Sequence, residues 1–184
     1  MIYIGYQGIG KSTLCKSQIK AIDLESSLFT YPNENQEMKR DPNWYKPYVN
    51  IAKDLSDQGY SVFVSSHKEV RTELRNYTKC VAIVPDLSLK DEWVFKLKDR
   101  YNMEETSGDP NAEKHKFAYL NAEACYEENI KDIMNDIENV IIIPNMKYKL
   151  KELINKYITE KYPRKEWEKY FISICDYLRY VKES

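Results

Sequence analysis

Residues 5–12 read Gly-Tyr-Gln-Gly-Ile-Gly-Lys-Ser, which fits the spacing G-x-x-x-x-G-K-[ST] of a phosphate-binding loop. This stretch constrains the fold more than any other. Met1-Ile2-Tyr3-Ile4 before it is a short β-prone run, and Thr13 to Ile19 after it can be helical. A strand feeding a glycine-rich turn feeding a helix aims several backbone N–H groups at one spot, and the helix dipole adds to them. Gly5, Gly8 and Gly10 allow the dihedrals and close backbone approach that such a nest needs. In that arrangement Gly8, Gly10, Lys11, Ser12 and Thr13 bind the phosphates. Lys11 reaches the β/γ-phosphates, the Ser12 hydroxyl holds Mg²⁺, and Thr13 adds a second hydroxyl.

The rest of the chain alternates between strand-like and helix-like runs. Strands are expected at 20–24, 60–67, 80–85 and 140–143. Helices are expected at 44–57, 68–76, 89–101, 112–136, 150–162 and 164–181, with apolar residues recurring at helical spacing. The segments 31–43 and 102–110 read as loops, the second because of Gly108-Asp109-Pro110. Alternation of this kind implies an α/β protein with parallel strands and helices on both faces. Ligands then bind at the carboxyl ends of the strands. No internal repeat or linker is visible, so 184 residues read as one domain. Residues 87–116 form a lid-like region, and 149–184 a helical extension beyond the minimal fold.

Composition narrows the function. A net charge of -1 gives no reason to expect bulk nucleic-acid binding. Cys15, Cys80, Cys125 and Cys175 are widely separated, so they read as buried free thiols of a reducing cytoplasm rather than metal ligands. No apolar run reaches the about 18 residues of a membrane span. The first strand stands where a leader would be, so none is expected.

Other residues cluster at the predicted strand ends. Asp23 and Glu25 close the second strand with i, i+2 spacing, so they point the same way. Asp23 could serve Mg²⁺ or the acceptor, and Glu25 the acceptor. Ser65-Ser66-His67 closes the third strand. There Ser66 could meet a substrate oxygen, and no Asp stands where many nucleotide hydrolases carry one. Arg40 and Arg71 could clamp a substrate phosphate through the planar guanidinium. Tyr31 and Trp44 are the aromatic residues free to stack on a base. Arg100, on the helix after the fourth strand, could lean over the transferring phosphate, with Lys96 one turn earlier. Lys114 and Lys116 follow the Gly108 loop and belong to the same basic set of a closing lid, for every member of which a solvated helix face is the alternative.

With these residues in place, the chain resembles the nucleoside and nucleotide kinase branch of P-loop proteins. Asp23-Leu24-Glu25 is similar in placement to the D-x-D of shikimate-kinase-like enzymes. Leu97-x-x-Arg100 resembles the start of the lid in nucleoside monophosphate kinases. In outline the chain is also similar to small kinase-like proteins of phages and prophages. The resemblance implies a three-layer P-loop NTPase fold with a five-stranded parallel sheet in order 2-3-1-4-5. It implies ATP and Mg²⁺, a small-molecule phosphoryl acceptor, most readily a (deoxy)nucleoside monophosphate, and possible homodimerisation. The D-G-[FY]-P-R signature of adenylate kinases is missing after the third strand. Two alternatives stay open: a nucleotide-binding module without phosphotransfer, and a small-metabolite kinase of the shikimate or gluconate type.

Overall fold

A computed structural model describes residues 1–30 and 41–161. Tyr31, Arg40, Cys175 and the helix expected over 164–181 lie outside the described residues. The chain divides into two compact units, Met1–Leu150 and Lys151–Ser184.

The first unit is built on a five-stranded, all-parallel sheet in order β2-β3-β1-β4-β5. The strands are β1 (Ile2–Gly5), β2 (Ala21–Asp23), β3 (Ser61–Ser65), β4 (Cys80–Pro85) and β5 (Val140–Ile143). Every residue of β1 and β4 is buried. A strand buried at every position is covered on both faces, which is the signature of a layer of helices on each side of the sheet. The outer strand β5 instead alternates, with Ile141 and Ile143 buried and Ile142 exposed.

Around the sheet lie α1 (Lys11–Lys16), α2 (Ser27–Thr30), α3 (Tyr45–Asp57), α4 (Lys68–Leu74), α5 (Lys90–Ser107) and α6 (Ala112–Asp136). A helix α7 spans Leu150–Lys161. Helix α3 rests on β1 and β3, and α6 rests on β4. Helices α5 and α6 form a hairpin with extensive mutual contact. No helix among the described residues is long and apolar enough to cross a membrane.

Two departures from the sequence reading stand beside one expectation that holds. Residues 102–107, expected as loop, continue α5, which stops only where Gly108 adopts a left-handed conformation (φ 70°) and caps it. The expectation of mainly one helix over 112–136 holds, as Ala112–Asp136, with non-helical dihedrals at Cys125 alone (φ -130°, ψ 27°). Its buried stripe runs through Ala122, Tyr126, Ile130 and Ile133, on both sides of Cys125. Phe117 is 68% exposed. Finally, of the thiols expected to be buried, only Cys80 is so among those described; Cys15 and Cys125 are half-buried.

The topology places the site. From the central strand β1 the chain crosses to β2 on one flank of the sheet, whereas β3 feeds β4 on the other. The residues following β1 therefore sit where the winding direction changes, at the carboxyl edge of the sheet. Gly5 is level with Ser65 of β3 and Ile83 of β4.

Candidate functional site

The turn after β1 is held from behind by the helical hairpin. Trp93 Nε1 donates to the Gln7 carbonyl at 3.0 Å, and Lys96 Nζ donates to the Gly8 carbonyl at 2.9 Å. Gln7 Nε2 donates in turn to the Ala118 carbonyl of α6 at 2.7 Å. Trp93 is fully buried and stacks on Tyr148, and the Lys96 ammonium lies 4.4 Å from the Trp93 ring centroid. Burial of Lys96, with Arg100 nearby, pulls its ammonium below the ordinary lysine pKa. Carbonyls of the loop thus face the hairpin. The N–H groups of Gly8, Gly10, Lys11, Ser12 and Thr13 have no hydrogen-bond partner among the described residues.

Two glycines are demanded by this geometry. Gly8 (φ +80°) has Leu97 Cδ2 2.7 Å from where a Cβ would stand. Gly10 (φ +89°) borders open space, so only its backbone conformation requires glycine.

At the mouth of the loop the sequence-predicted residues come together. Ser12 Oγ donates to Asp23 Oδ2 at 2.5 Å, and Lys11 Nζ lies 3.9 Å from Asp23 Oδ1. The Lys11 side chain is 22% exposed. Burial pulls its pKa below the ordinary lysine value, against the opposing pull of Asp23 and Glu25. Glu25 Oε2 accepts from Lys114 Nζ of α6 at 2.6 Å. Partial burial works to raise the Glu25 carboxyl, but the Lys114 ammonium outweighs it, and the carboxyl settles below its usual range.

The carboxyl ends of β2 and β3 are tied by one phenol. Tyr48 Oη donates to the Leu24 carbonyl at 2.8 Å and accepts from the Ser65 N–H at 2.9 Å. Burial pushes the Tyr48 phenol up to about 12, the Ser65 N–H pulling the other way, so it works as a neutral hydrogen-bonding strut. Ser65 Oγ lies 2.9 Å from His67 Nδ1.

Other expected site residues are placed differently. Trp44, expected to be free to stack on a base, is 1% exposed and packs edge-on to His67 and tilted against Tyr48. Its helical spacing with Tyr48 and Val49 makes it core. Arg71 is 6% exposed. Its Nε donates to Asp136 Oδ2 at 2.8 Å and its Nη1 to the Ser66 carbonyl at 2.6 Å. That fork ties α4 to the end of α6, and through Ser66 it fixes the end of β3. Arg100 Nε donates to Glu104 at 2.9 Å and lines an open cleft of ≈ 330 Å³ beside Gly8, with Lys96, Leu97, Met103 and Glu104. Arg40 lies outside the described residues.

Lys114 is one of several lysines that the sequence reading weighs against a solvated helix face and does not single out. Its partner is 89 positions away, and nothing local distinguishes it from Lys116, which pairs with Glu113 within its own helix.

Ser12 and Asp23 offer two hard oxygens side by side. That donor set suits Mg²⁺, which takes one or two protein oxygens and completes its octahedron with phosphate and water. No cluster of three or more His, Cys, Asp or Glu side chains among the described residues could hold a metal ion unaided. Comparison with described protein families, with curated proteins and with solved structures gives no match.

Proposed function

We propose that this chain is a P-loop kinase, an ATP- and Mg²⁺-dependent phosphotransferase acting on a nucleotide or nucleoside, with a (deoxy)nucleoside monophosphate as the first expectation. The observation that carries the reading is the set of N–H groups of Gly8, Gly10, Lys11, Ser12 and Thr13, unpartnered among the described residues, directly beside the Lys11, Ser12 and Asp23 side chains. Donors in that arrangement recognise an anion with several oxygens. In this reading the loop amides and Lys11 hold the β- and γ-phosphates of ATP. Ser12 and Asp23 hold the magnesium ion, which screens the phosphate charge. Glu25 faces the acceptor, beside the Ser65–Ser66 edge of β3. The bond from the γ-phosphorus to its bridging oxygen breaks as an acceptor oxygen bonds to that phosphorus. For a hydroxyl acceptor, the departing proton goes to one of the two carboxylates. Catalysis is then mainly positioning and electrostatic stabilisation. Arg100 is engaged by Glu104, so the reading does not rest on it. A cytoplasmic location accords with ATP as donor.

A second reading, a nucleotide-binding module without transfer, is favoured by Ser65-Ser66-His67 at the end of β3 in place of a carboxylate. Kinase action on a small alcohol or acid of the shikimate or gluconate type is the third.

Conversion of ATP to ADP with Mg²⁺, across a panel of nucleosides, their monophosphates and small hydroxy acids, separates them. The kinase reading expects ADP to appear with only one or a few acceptors, and not with Lys11→Ala. Tight ATP binding without acceptor-stimulated turnover supports the binding module. Absence of ATP binding rules out both nucleotide readings.

A further inference from the structure

The contact between Lys114 and Glu25 joins the helical hairpin to the end of β2 across the mouth of the loop. Both side chains are about half exposed, 52% and 44%. An ion pair between two such exposed groups is weakly held. It is therefore easily exchanged for a better partner. The position of Lys114 is nonetheless fixed. Ala118, whose carbonyl accepts from Gln7, lies four residues further along α6, so the two share a helix face. The bond that pins α6 to the loop thus turns Lys114 toward the same place. The charges there alternate: Lys11 beside Asp23, and Lys114 on Glu25, two residues along from Asp23.

A nucleoside triphosphate brought into this array carries more negative charge than one carboxylate and offers several acceptor oxygens at once. From the geometry we infer that Lys114 is the hairpin's phosphate-contacting cation. Glu25 holds it in readiness and competes with the nucleotide for it. On ATP binding the Lys114 ammonium leaves Glu25 for the terminal phosphate, and the freed Glu25 carboxylate is exposed to the acceptor. Glu25 thereby couples the two halves of the site: its carboxylate is available to the acceptor only when the donor is bound. The inference rests on the reading of residues 8–13 as the phosphate site.

The test is the affinity of the full chain for ATP and for ADP, measured by titration calorimetry with Mg²⁺. Lys114→Met is expected to weaken ATP about tenfold and ADP less than twofold, because only ATP carries the phosphate that Lys114 meets. Lys114→Arg retains the preference, and Lys116→Met leaves both affinities unchanged. Glu25→Gln removes the competitor, so ATP binds several-fold more tightly. A purely structural salt bridge predicts no such gain. The inference is overturned if Lys114→Met weakens ATP and ADP equally or neither, or if Glu25→Gln weakens ATP. Lys11→Ala reports separately on the underlying reading. If it leaves both nucleotides bound, the phosphate site itself is wrong; if it abolishes both while Lys114→Met changes nothing, only the Lys114 assignment fails.

Discussion

Replacing Gly8 with alanine tests whether the hairpin fixes the shape of the loop. The informative comparison is with Gly10→Ala. Both glycines have φ well above zero, +80° and +89°, so both substitutions carry the left-handed strain of an L-residue, about 1–2 kcal/mol. Only the Gly8 substitution adds a collision, since the new Cβ would stand 2.7 Å from Leu97 Cδ2 and 3.4 Å from Trp93 Nε1. Leu97 and Trp93 are both buried, so neither can swing aside freely, and crowding of this kind costs about 1–3 kcal/mol more. Gly8→Ala should therefore lose about 2–5 kcal/mol in all, against about 1–2 for Gly10→Ala. In a domain of this size each kcal/mol moves the midpoint by about 2–4 °C, so thermal unfolding followed by circular dichroism resolves the difference. The double variant Gly8→Ala/Leu97→Ala gives the decisive arm. Shortening Leu97 removes the atom that collides, so the double loss should fall short of the sum of the single losses by about 1–3 kcal/mol. Equal midpoints for the two alanine variants, or strict additivity in the double variant, would refute the argument that α5 sets the loop's conformation by contact.

Asp136→Asn should destabilise the fold by about 3 kcal/mol, because it leaves the nearly buried Arg71 guanidinium without its closest carboxylate. Burial works to raise the Asp136 carboxyl, but Arg71 and Arg75 outweigh it and hold it below 3.8. Its stabilising contribution is therefore complete above the ordinary aspartate range and is lost as pH falls through the lowered value. The variant's deficit in a urea titration should accordingly be constant from pH 5 to 8 and shrink only below about 4; a deficit that grows on acidification contradicts the assignment. Lys11→Met should keep or raise the thermal midpoint at pH 7, since it removes a cation whose burial is unfavourable. Because the folded lysine titrates below its unfolded value, any gain should fade as pH rises toward 10.5; a midpoint well below wild type at pH 7 would show that Lys11 is a structural cation. Trp93→Phe deprives the Gln7 carbonyl of its donor, for a loss of about 1–2 kcal/mol and weaker ATP binding by calorimetry. Unchanged stability and affinity would mean that the loop does not depend on that bond.

The strands were legible because buried parallel strands read as continuous apolar runs, as in Val81-Ala82-Ile83-Val84. The loop was legible because Gly8 and Gly10 must adopt conformations that other residues avoid. What connects distant segments was not. Helical spacing identifies Arg71 as lying beside Val70 and one turn before Leu74, yet nothing in the chain announces that Asp136 waits 65 residues away. The same holds for Lys114 and Glu25. The over-short reading of α5 has a different origin: Gly108-Asp109-Pro110 marks where a helix stops, and the turn before it was wrongly included in the loop. Trp44 was misjudged because an aromatic residue at a helix start was weighed for stacking, not for the core that its spacing with Tyr48 already implied.

The break in α6 at Cys125 gives the helix a fulcrum. Eleven residues separate it from Lys114, a rigid arm of about 16 Å at 1.5 Å per residue. A change of only 10° in the angle at the break would carry the far end of that arm through about 3 Å, comparable to the length of the bond that Lys114 makes with Glu25. An unbroken helix laid along the sheet would have to bend or slide as a whole to deliver the same displacement.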